Sequence, residues 1–501
     1  QVLRAPVFPP AVPFAPLALE AKLASGTHFT MNRVGVITKH VTAGSAGQTP
    51  NLECSAGELT ITIIGSGNSG HVCAALIEGN TKGRVKTQLL TSNPSAWTNC
   101  CPRVTFPNGD VQVGRIHKIS SDPAELIPHS DIVLWTGPVT STMEVFESIR
   151  PYLNTRRTAV GTIFAQGLSH LLAARTFGPD VRFFALRNIP WLCRMVKKGE
   201  ESVIVGAKTS IGVMTMNIEP AWVKSELEPL FVVQKTGKWE PVMDIMPDFC
   251  PVVFNPANQI IHPARYWGLF RKWTGAPLSG DDEPSEWLYR GMDEVSGQVL
   301  SVLDEELQSL KDAYYEATGA EGCREVIPLA ERLKIQYGDQ IEDDSSMAKM
   351  VGTNKAYSLA KTPMIRTARG VMPDPNHRVV TDDIGWGLCA LVSIAERLEE
   401  DLGVKTPTTM MRMLIEWHQD LMGKEFLVNG RLCGRDCADL VLLRPGDALE
   451  LVALPPHSTS APSAKVAGDP TGRNASAGRQ FEVGDSSFSV LPLSAAHRSR
   501  A

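Results

Sequence analysis

The segment Leu59–Ala75 constrains the fold more than any other part of this sequence. A run of mostly β-branched residues, Thr60–Ile64, predicts a strand, and glycines follow it at Gly65, Gly67 and Gly70. The first glycine permits a tight turn, the second lets a pyrophosphate approach, and the third lets a new helix pack on the strand. The helix start also favours negative charge. The segment therefore predicts a dinucleotide-binding turn, with a glycine-rich turn that binds nothing as the alternative.

Composition narrows the class of protein. A chain of 501 residues with 43% hydrophobic and 21% charged residues is typical of a globular protein with two or three domains. The net charge of −5 and the lack of a basic block argue against a nucleic-acid or membrane partner. No apolar run reaches the ~18 residues that a spanning helix needs. Ten scattered cysteines predict reduced thiols in a cytoplasmic protein, and their spacing predicts no metal site.

The pattern of strands and helices divides the chain. Strands alternate with helices up to about residue 215, which predicts an α/β domain with a doubly wound parallel sheet. From Asn217 onward the apolar periodicity becomes helical. The predicted segments are a poorly ordered N-terminal extension at 1–58, a nucleotide-binding domain at 59–215, a helical domain at 216–454 and a disordered tail at 455–501.

Individual elements follow from the same periodicities. The predicted strands after the first are Val85–Leu90, Ile132–Trp135, Thr158–Phe164, Val181–Leu186 and Val203–Ala207. The predicted amphipathic helices are Glu219–Phe231, Pro256–Trp273, Glu286–Thr318, Ile384–Leu402 and Thr408–Met422. In a parallel sheet the nucleotide lies along the carboxyl ends of the strands. The loops at 65–70, 136–138 and 166–167 are therefore expected to form one wall of the cleft.

The end of the second strand bears on the choice of cofactor. An acidic residue is expected there to bind a ribose, about 20 residues after the glycines. Thr91, Ser92 and Asn93 stand in its place, with basic residues nearby at Arg84, Lys86 and Arg103. Either NAD(H) or NADP(H) therefore fits. The predicted cofactor-binding residues are Gly65, Ser66, Gly67, Asn68, Gly70, Ser92 and Pro138.

Two polar clusters stand out in the helical half. Asn258 and His262 are four residues apart and share one face of a predicted helix, although a lone histidine there also fits a core position. Arg378 precedes Asp382 and Asp383 at the start of another helix, where either carboxylate could simply cap the helix. Both clusters are candidates for acid–base chemistry in a cleft between the two domains.

Five motifs appear in a characteristic order: GSGNSGH at 65–71, NIPWLCRMVKKG at 188–199, GAKTSIGV at 206–213, NxxxHP at 258–263 and RVVTDD at 378–383. Together they resemble the octopine dehydrogenase family, the opine dehydrogenases. The resemblance covers about Thr60 to Cys437. It implies an N-terminal Rossmann domain followed by an all-α domain like that of 6-phosphogluconate dehydrogenase.

The resemblance also implies an activity and a set of roles. Opine dehydrogenases condense a 2-oxo acid, usually pyruvate, with an amino acid at the expense of NAD(P)H. By motif, His262 is the catalytic acid–base group, Asp383 orients it, and Arg378 binds a substrate carboxylate. Cys193 and Asn258 are expected to line the substrate site. Histidine can give and take protons near neutrality, and a guanidinium binds a carboxylate through two hydrogen bonds.

Two other functions remain open at this point. One is a two-domain 2-oxoacid or polyol-type dehydrogenase that needs no amine, and the other is a nucleotide-binding protein without turnover. The expected partners are small molecules only, and the protein is expected to be a monomer or homodimer. The amine itself has no readable signature, so glycine, alanine, arginine, taurine or another amine all remain candidates.

Overall fold

The computed structural model describes residues 58–446, apart from 236, 237, 256, 359, 439 and 440. The predicted N-terminal extension up to residue 57 and the predicted tail at 455–501 therefore lie outside the described residues. Within the described range, no helix combines the length and apolar character needed to cross a bilayer. The nine cysteines in this range are free thiols.

The strands account for most of the N-terminal half. In chain order they are β1 (Leu59–Ile64), β2 (Val85–Leu90), β3 (Arg103–Thr105), β4 (Val111–Val113), β5 (Ile116–Ser120), β6 (Ile132–Trp135), β7 (Ala159–Thr162), β8 (Arg182–Leu186), β9 (Trp191–Lys197), β10 (Glu201–Ala207), β11 (Ser210–Met216), β12 (Val233–Lys235), β13 (Lys238–Glu240), β14 (Val242–Ile245), β15 (Met364–Thr367), β16 (Gly370–Pro373), β17 (Leu427–Val428) and β18 (Arg431–Leu432).

The α-helices become frequent after β14. They are α1 (Asn68–Asn80), α2 (Thr142–Ile149), α3 (Ser169–Phe177), α4 (Pro220–Trp222), α5 (Glu228–Phe231), α6 (Cys250–Val253), α7 (Asn258–Phe270), α8 (Glu294–Thr318), α9 (Leu329–Tyr337), α10 (Met347–Gly352), α11 (Arg378–Asp383), α12 (Cys389–Leu402) and α13 (Thr409–Met422). Wider π-helical turns at Val223–Leu227 and Ile384–Leu388 join α4 to α5 and α11 to α12.

An eight-stranded sheet organises the nucleotide-binding half, with strand order β14-β11-β8-β7-β6-β1-β2-β5. Neighbouring strands are parallel except for β11 and β8, which are antiparallel. Every residue of β6 and β7 is buried. A strand covered on both faces favours apolar or small residues throughout, as in Ile132–Trp135 of β6 and Ala159–Thr162 of β7. The predicted doubly wound sheet is confirmed.

Three details differ from the sequence-based expectations. The segment Val203–Ala207 forms part of β10, which belongs to a separate four-stranded sheet with order β4-β3-β10-β9. The main sheet is completed by β14, which lies beyond the predicted domain boundary at residue 215. The later half also contains the β15–β16 and β17–β18 hairpins and is therefore not purely helical. Strand partners are non-local, so local periodicity could not assign them.

The longest helix begins later than expected. The predicted start was Glu286, but α8 begins at Glu294, where the Asp293 carboxylate accepts a hydrogen bond from the Ser296 N–H at 3.1 Å. This cap satisfies one of the unpaired donors at the helix start. The preceding residues, 286–290, instead form an irregular segment that carries Tyr289 towards α7.

The two halves share one hydrophobic core. Phe183 of β8 and His170 of α3 both stack on Phe249, which precedes α6. The same buried cluster continues through Phe254 to Tyr314 on α8. This packing brings the carboxyl edge of the main sheet against α7 and α11, the two helices that carry the predicted acid–base residues.

Candidate active site

The glycine turn has the geometry that a dinucleotide needs. Gly65 has a φ of +100°, which favours glycine, and its N–H bonds to the Leu90 carbonyl oxygen at 3.0 Å. A Cβ at Gly70 would overlap the Gly65 carbonyl, so this glycine allows α1 to pack against the turn. A Cβ at Gly67 would meet nothing within 4 Å, which leaves the backbone open to a ligand. The turn therefore fits a pyrophosphate at the start of α1.

The other predicted cofactor residues surround this turn. The Ser66 and Thr91 hydroxyls are 2.9 Å apart and join the turn to the end of β2. Asn68 uses its side-chain oxygen to accept the Met195 N–H at 2.9 Å, which ties α1 to β9. Ser92 and Pro138 are exposed at the ends of β2 and β6. All of these predicted residues lie at the carboxyl edge of the main sheet, and their contacts with a cofactor stay predictions.

The basic residues near β2 are engaged elsewhere. Arg84 pairs with the buried Glu226 at 2.6 Å, Lys86 pairs with Glu58 at 2.7 Å, and Arg103 pairs with Glu201 at 2.9 Å. Arg84 and Lys86 are at the start of β2, roughly 20 Å and 13 Å from its carboxyl end for an extended strand. Their proximity in sequence to the ribose position therefore does not bring them to it.

The central feature of the site is a buried histidine–carboxylate pair. His262 on α7 and Asp383 at the end of α11 are only 6% and 5% exposed. The distance from Nδ1 of His262 to Oδ2 of Asp383 is 2.6 Å. Asp382 points away from His262, and its Oδ2 is 3.7 Å from Nε of Arg378. The structure thus pairs His262 with Asp383, the carboxylate chosen from the motif.

Two further side chains extend this pair. Nε2 of Gln166, from the loop after β7, donates to Oδ1 of Asp383 at 2.6 Å. The Tyr289 hydroxyl hydrogen-bonds to Nε2 of His262. Burial, and secondarily the Asp383 charge, raise the pKa of Tyr289, so its phenol is a donor. The imidazole then accepts at Nε2 and donates from Nδ1–H to Asp383, which fixes its tautomer.

Tyrosines continue away from the histidine along one wall. The Tyr289 ring stacks on Tyr357 with centroids 4.6 Å apart, and Tyr357 meets Tyr337 edge-on at 5.1 Å. Burial raises the pKa of Tyr357 and of Tyr337, so both stay protonated at neutral pH. The wall is therefore aromatic and uncharged, with hydroxyl groups as its polar atoms.

The remaining predicted substrate-binding residues differ in how exposed they are to solvent. Arg378 begins α11, and its side chain is 59% exposed, so its guanidinium is accessible to a carboxylate. Asn258 is exposed at the first residue of α7, one turn before His262. Cys193 is buried on β9 beside Ser69 of α1, and burial raises the pKa of its thiol to about 11. It therefore lies near the glycine turn rather than beside His262.

Comparisons with known proteins agree with this architecture. The family described as NAD/NADP octopine/nopaline dehydrogenase, alpha-helical domain, matches residues 245–422. An opine dehydrogenase from Haliotis discus hannai is 24% identical over 396 residues, covering 76% of this chain and 94% of the relative. The chain is therefore similar to the octopine dehydrogenase family. Both elements of the candidate acid–base pair, α7 and α11, lie within the range that the family model matches.

Solved structures show the same fold. An octopine dehydrogenase in complex with NADH and agmatine aligns with a TM-score of 0.66 and 22% identity, covering 79% of this chain and 96% of the other. Octopine dehydrogenase with NADH and pyruvate aligns with a TM-score of 0.63 and 22% identity, covering 76% and 93%. The octopine dehydrogenase fold therefore spans the described part of the chain.

Sequence reasoning missed two residues of this candidate site. Gln166 was expected only as part of a loop in the cleft wall, although its place directly after a strand is a usable signal. Tyr289 was expected inside a helix and had no signal of its own. Its hydroxyl reaches His262 only because residues 286–290 are irregular and pack beside α7.

Proposed function

We propose that this protein is an opine-type dehydrogenase that uses NAD(P)H to condense a 2-oxo acid, pyruvate first among candidates, with an amino acid. The observation that carries the proposal is the buried His262–Asp383 pair, tied by Gln166 to the sheet edge that holds the glycine turn. The similarity to octopine and opine dehydrogenases supports the same reaction. The related octopine dehydrogenase structures contain NADH with agmatine or with pyruvate, which supports both classes of substrate.

The cofactor, when bound, supplies the hydride that reduces the carbon–nitrogen double bond of the condensed substrate. The glycine turn at 65–70 is open to a pyrophosphate, and the Ser66–Thr91 hydroxyl pair lies at the ribose end of β2. This pair contains no carboxylate that would repel a 2′-phosphate, so we propose that the site accepts NAD(H) or NADP(H).

The residues of the chain then have distinct roles in the condensation. Arg378 binds the carboxylate of the 2-oxo acid, which orients the keto carbon for attack by a neutral amine. His262 accepts a proton at Nε2 from the attacking amine and then gives this proton to the former keto oxygen, which leaves as water after a further proton from the medium. Asp383, held by Gln166, keeps the imidazole in the required tautomer and stabilises its protonated form.

Tyr289 lies between His262 and the rest of the aromatic wall. Because its hydroxyl is bonded to Nε2, protons that reach the imidazole pass through this phenol, or the phenol moves aside when substrate binds. The cytoplasmic location and the monomeric or homodimeric state expected from the sequence belong to the same proposal, and cell fractionation and light scattering would test them.

A two-substrate assay tests the proposal. The purified protein should oxidise NADH or NADPH at full rate only when pyruvate and an amino acid are both present. His262→Ala should lower kcat by about 10²–10⁴-fold, the usual contribution of a positioned acid–base group. His117→Ala, at a partly exposed histidine on β5 beside Glu78, is the matched control and should retain activity.

Each alternative has its own outcome in this assay. Full rate with pyruvate alone would identify a 2-oxoacid dehydrogenase that needs no amine. Nucleotide binding without turnover under any substrate combination would identify a non-catalytic protein. Undiminished turnover in His262→Ala would remove the assigned acid–base group.

A further inference from the structure

Arg332 on α9 is a buried cation near the aromatic wall. Its Nη1 donates to the Asn255 carbonyl oxygen at 2.8 Å, just before α7. Its Nε is buried without a hydrogen-bond partner, and so is Oδ1 of Asn255. Buried donors of charged groups are costly to leave unpaired, so these atoms indicate a position where a ligand completes the hydrogen bonding.

The aromatic wall connects Arg332 to the catalytic histidine. Tyr337, on the same helix as Arg332, contacts Tyr357, which stacks on Tyr289, which bonds to His262. The ring centroids along this wall are separated by 5.1, 4.6 and 5.6 Å. The tyrosine cluster therefore places Arg332 in the same region of the molecule as His262.

Arg187 approaches the same region from the sheet. It directly follows β8, whose last residue, Leu186, accepts a hydrogen bond from the Ala165 N–H at 2.9 Å. Ala165 precedes Gln166, which bonds to Asp383. A Cβ at Gly212 would lie 3.2 Å from Nε of Arg187, so this glycine leaves room for the guanidinium along β11.

The charges around the two guanidinium groups do not neutralise them directly. Against the lowering effect of burial, the negative charges of Asp244 and Glu325 raise the pKa of Arg187, and that of Asp304 raises the pKa of Arg332. Within the described ranges, neither arginine forms an ion pair within 4.0 Å. Asp304 already accepts from the Leu329 N–H at 2.8 Å, and burial raises the pKa of Glu325. Burial, and secondarily the Arg187 charge, lower the pKa of Arg332 to about 10, so a bound anion would be favourable.

We propose that Arg187 and Arg332 bind the amine substrate, and that this substrate is a dicarboxylic amino acid such as glutamate or aspartate. The inference rests on the proposed function, in which Arg378 binds the carboxylate of the 2-oxo acid. Two guanidinium groups then remain for the amino acid, one for each of its carboxylates. The same groups repel a basic amine, which distinguishes this protein from the octopine dehydrogenase solved with agmatine.

A panel of amines tests the proposal with the unmodified protein. With pyruvate and NADH fixed, glutamate or aspartate should give a kcat/KM at least about tenfold above alanine, and arginine should give the lowest value. Calorimetric titration of glutamate and of arginine into the NADH-loaded protein provides a measurement that does not need turnover. A preference for arginine in either experiment, or no glutamate binding, would overturn the assignment.

Substitutions locate the binding groups. Arg332→Gln and Arg187→Gln should each raise the KM for glutamate about 10- to 100-fold, the loss expected for a charge-assisted hydrogen bond, with less than about a twofold change for pyruvate. Arg378→Lys should show the opposite pattern, with the pyruvate KM raised most. Arg324→Gln, at an exposed arginine paired with Glu321, is the matched control.

The outcomes separate this inference from the proposed function. If no pair of a 2-oxo acid and an amine supports turnover, the proposed function fails. The calorimetric comparison still shows whether the protein binds glutamate in preference to arginine. If turnover occurs but Arg332→Gln raises every KM equally, Arg332 only holds the loop before α7. Arg187→Glu should shift the amine preference towards arginine, a change that a structural arginine would not produce.

Discussion

Side-chain orientation decides which of two adjacent carboxylates serves the histidine. Asp382 and Asp383 follow each other on α11, where consecutive side chains point about 100° apart. Asp383 therefore faces His262 and Gln166, while Asp382 faces Arg378. Burial raises the pKa of Asp382 to about 6, so at neutral pH its carboxyl group is still mostly ionised and can interact with Arg378.

Removing the Tyr289 hydroxyl tests whether this single group takes part in catalysis. Tyr289→Phe keeps the stacking on Tyr357 but removes the hydrogen bond to Nε2 of His262. We expect kcat to fall about five- to tenfold, the value of one hydrogen bond, with the NADH KM unchanged. Steady-state kinetics with both substrates would measure this change.

The control for that experiment is Tyr315→Phe, which removes a hydroxyl beside Arg324 on the far part of α8. If Tyr289→Phe instead raises kcat and lowers the substrate KM, the phenol only occupies the position of the substrate and must leave it. That outcome would mean that Tyr289 blocks the substrate position and does not transfer protons.

At the scale of an element, the glycine turn joins strand, helix and cofactor. Its two later glycines have separable roles, because a side chain at Gly70 would overlap the turn itself while one at Gly67 would point into open space. The first glycine of the turn, Gly65, holds a positive φ that a larger residue tolerates poorly. The same seven-residue motif therefore carries both structural and binding requirements.

We predict opposite consequences for two alanine variants. Gly67→Ala should leave the melting temperature within about 2 °C of the parent, because its backbone is in an ordinary region, but should weaken NADH binding about tenfold. Gly70→Ala should lower the melting temperature by several degrees, because α1 has to move away from the turn. Thermal unfolding and NADH fluorescence titration measure the two effects, and unchanged NADH affinity in Gly67→Ala would place the pyrophosphate elsewhere.

At the scale of the whole molecule, two buried histidines make stability depend on pH. Burial lowers the pKa of His170 to about 3 and that of His418 to about 4. In the unfolded chain both would titrate near 6.5, so between that value and the folded pKa the unfolded state binds more protons. The stabilising contribution is complete above about pH 6.5 and is lost as the pH falls towards 4.

His170→Phe tests this dependence and keeps the stacking on Phe249 that joins the two halves. The free energy of unfolding should become less sensitive to pH between 6 and 4.5, by up to about 1.4 kcal/mol per pH unit. Urea unfolding at several pH values measures the slope. His129→Phe, at an exposed position, should leave the slope unchanged, and an equal slope in His170→Phe would mean that His170 is not buried in its neutral form.

The sequence by itself determined the local features of this protein. The β-branched run and glycines of Leu59–Ala75 specify a strand, a turn and a helix start through backbone sterics, which act between near neighbours. The same holds for β2, β6 and β8, whose predicted bounds match the observed ones within a residue. The ordered motifs also placed His262 and Asp383 among the candidates, although 121 residues separate them in the chain.

Only the tertiary structure decided which distant groups meet. It joined Gln166 to Asp383 across the two halves, brought Tyr289 to His262, and placed Val203–Ala207 in a second sheet. It also showed that Arg84 is paired with Glu226. Hydrogen bonds and charge interactions act over a few ångströms in space regardless of distance along the chain, so local patterns carry no record of them.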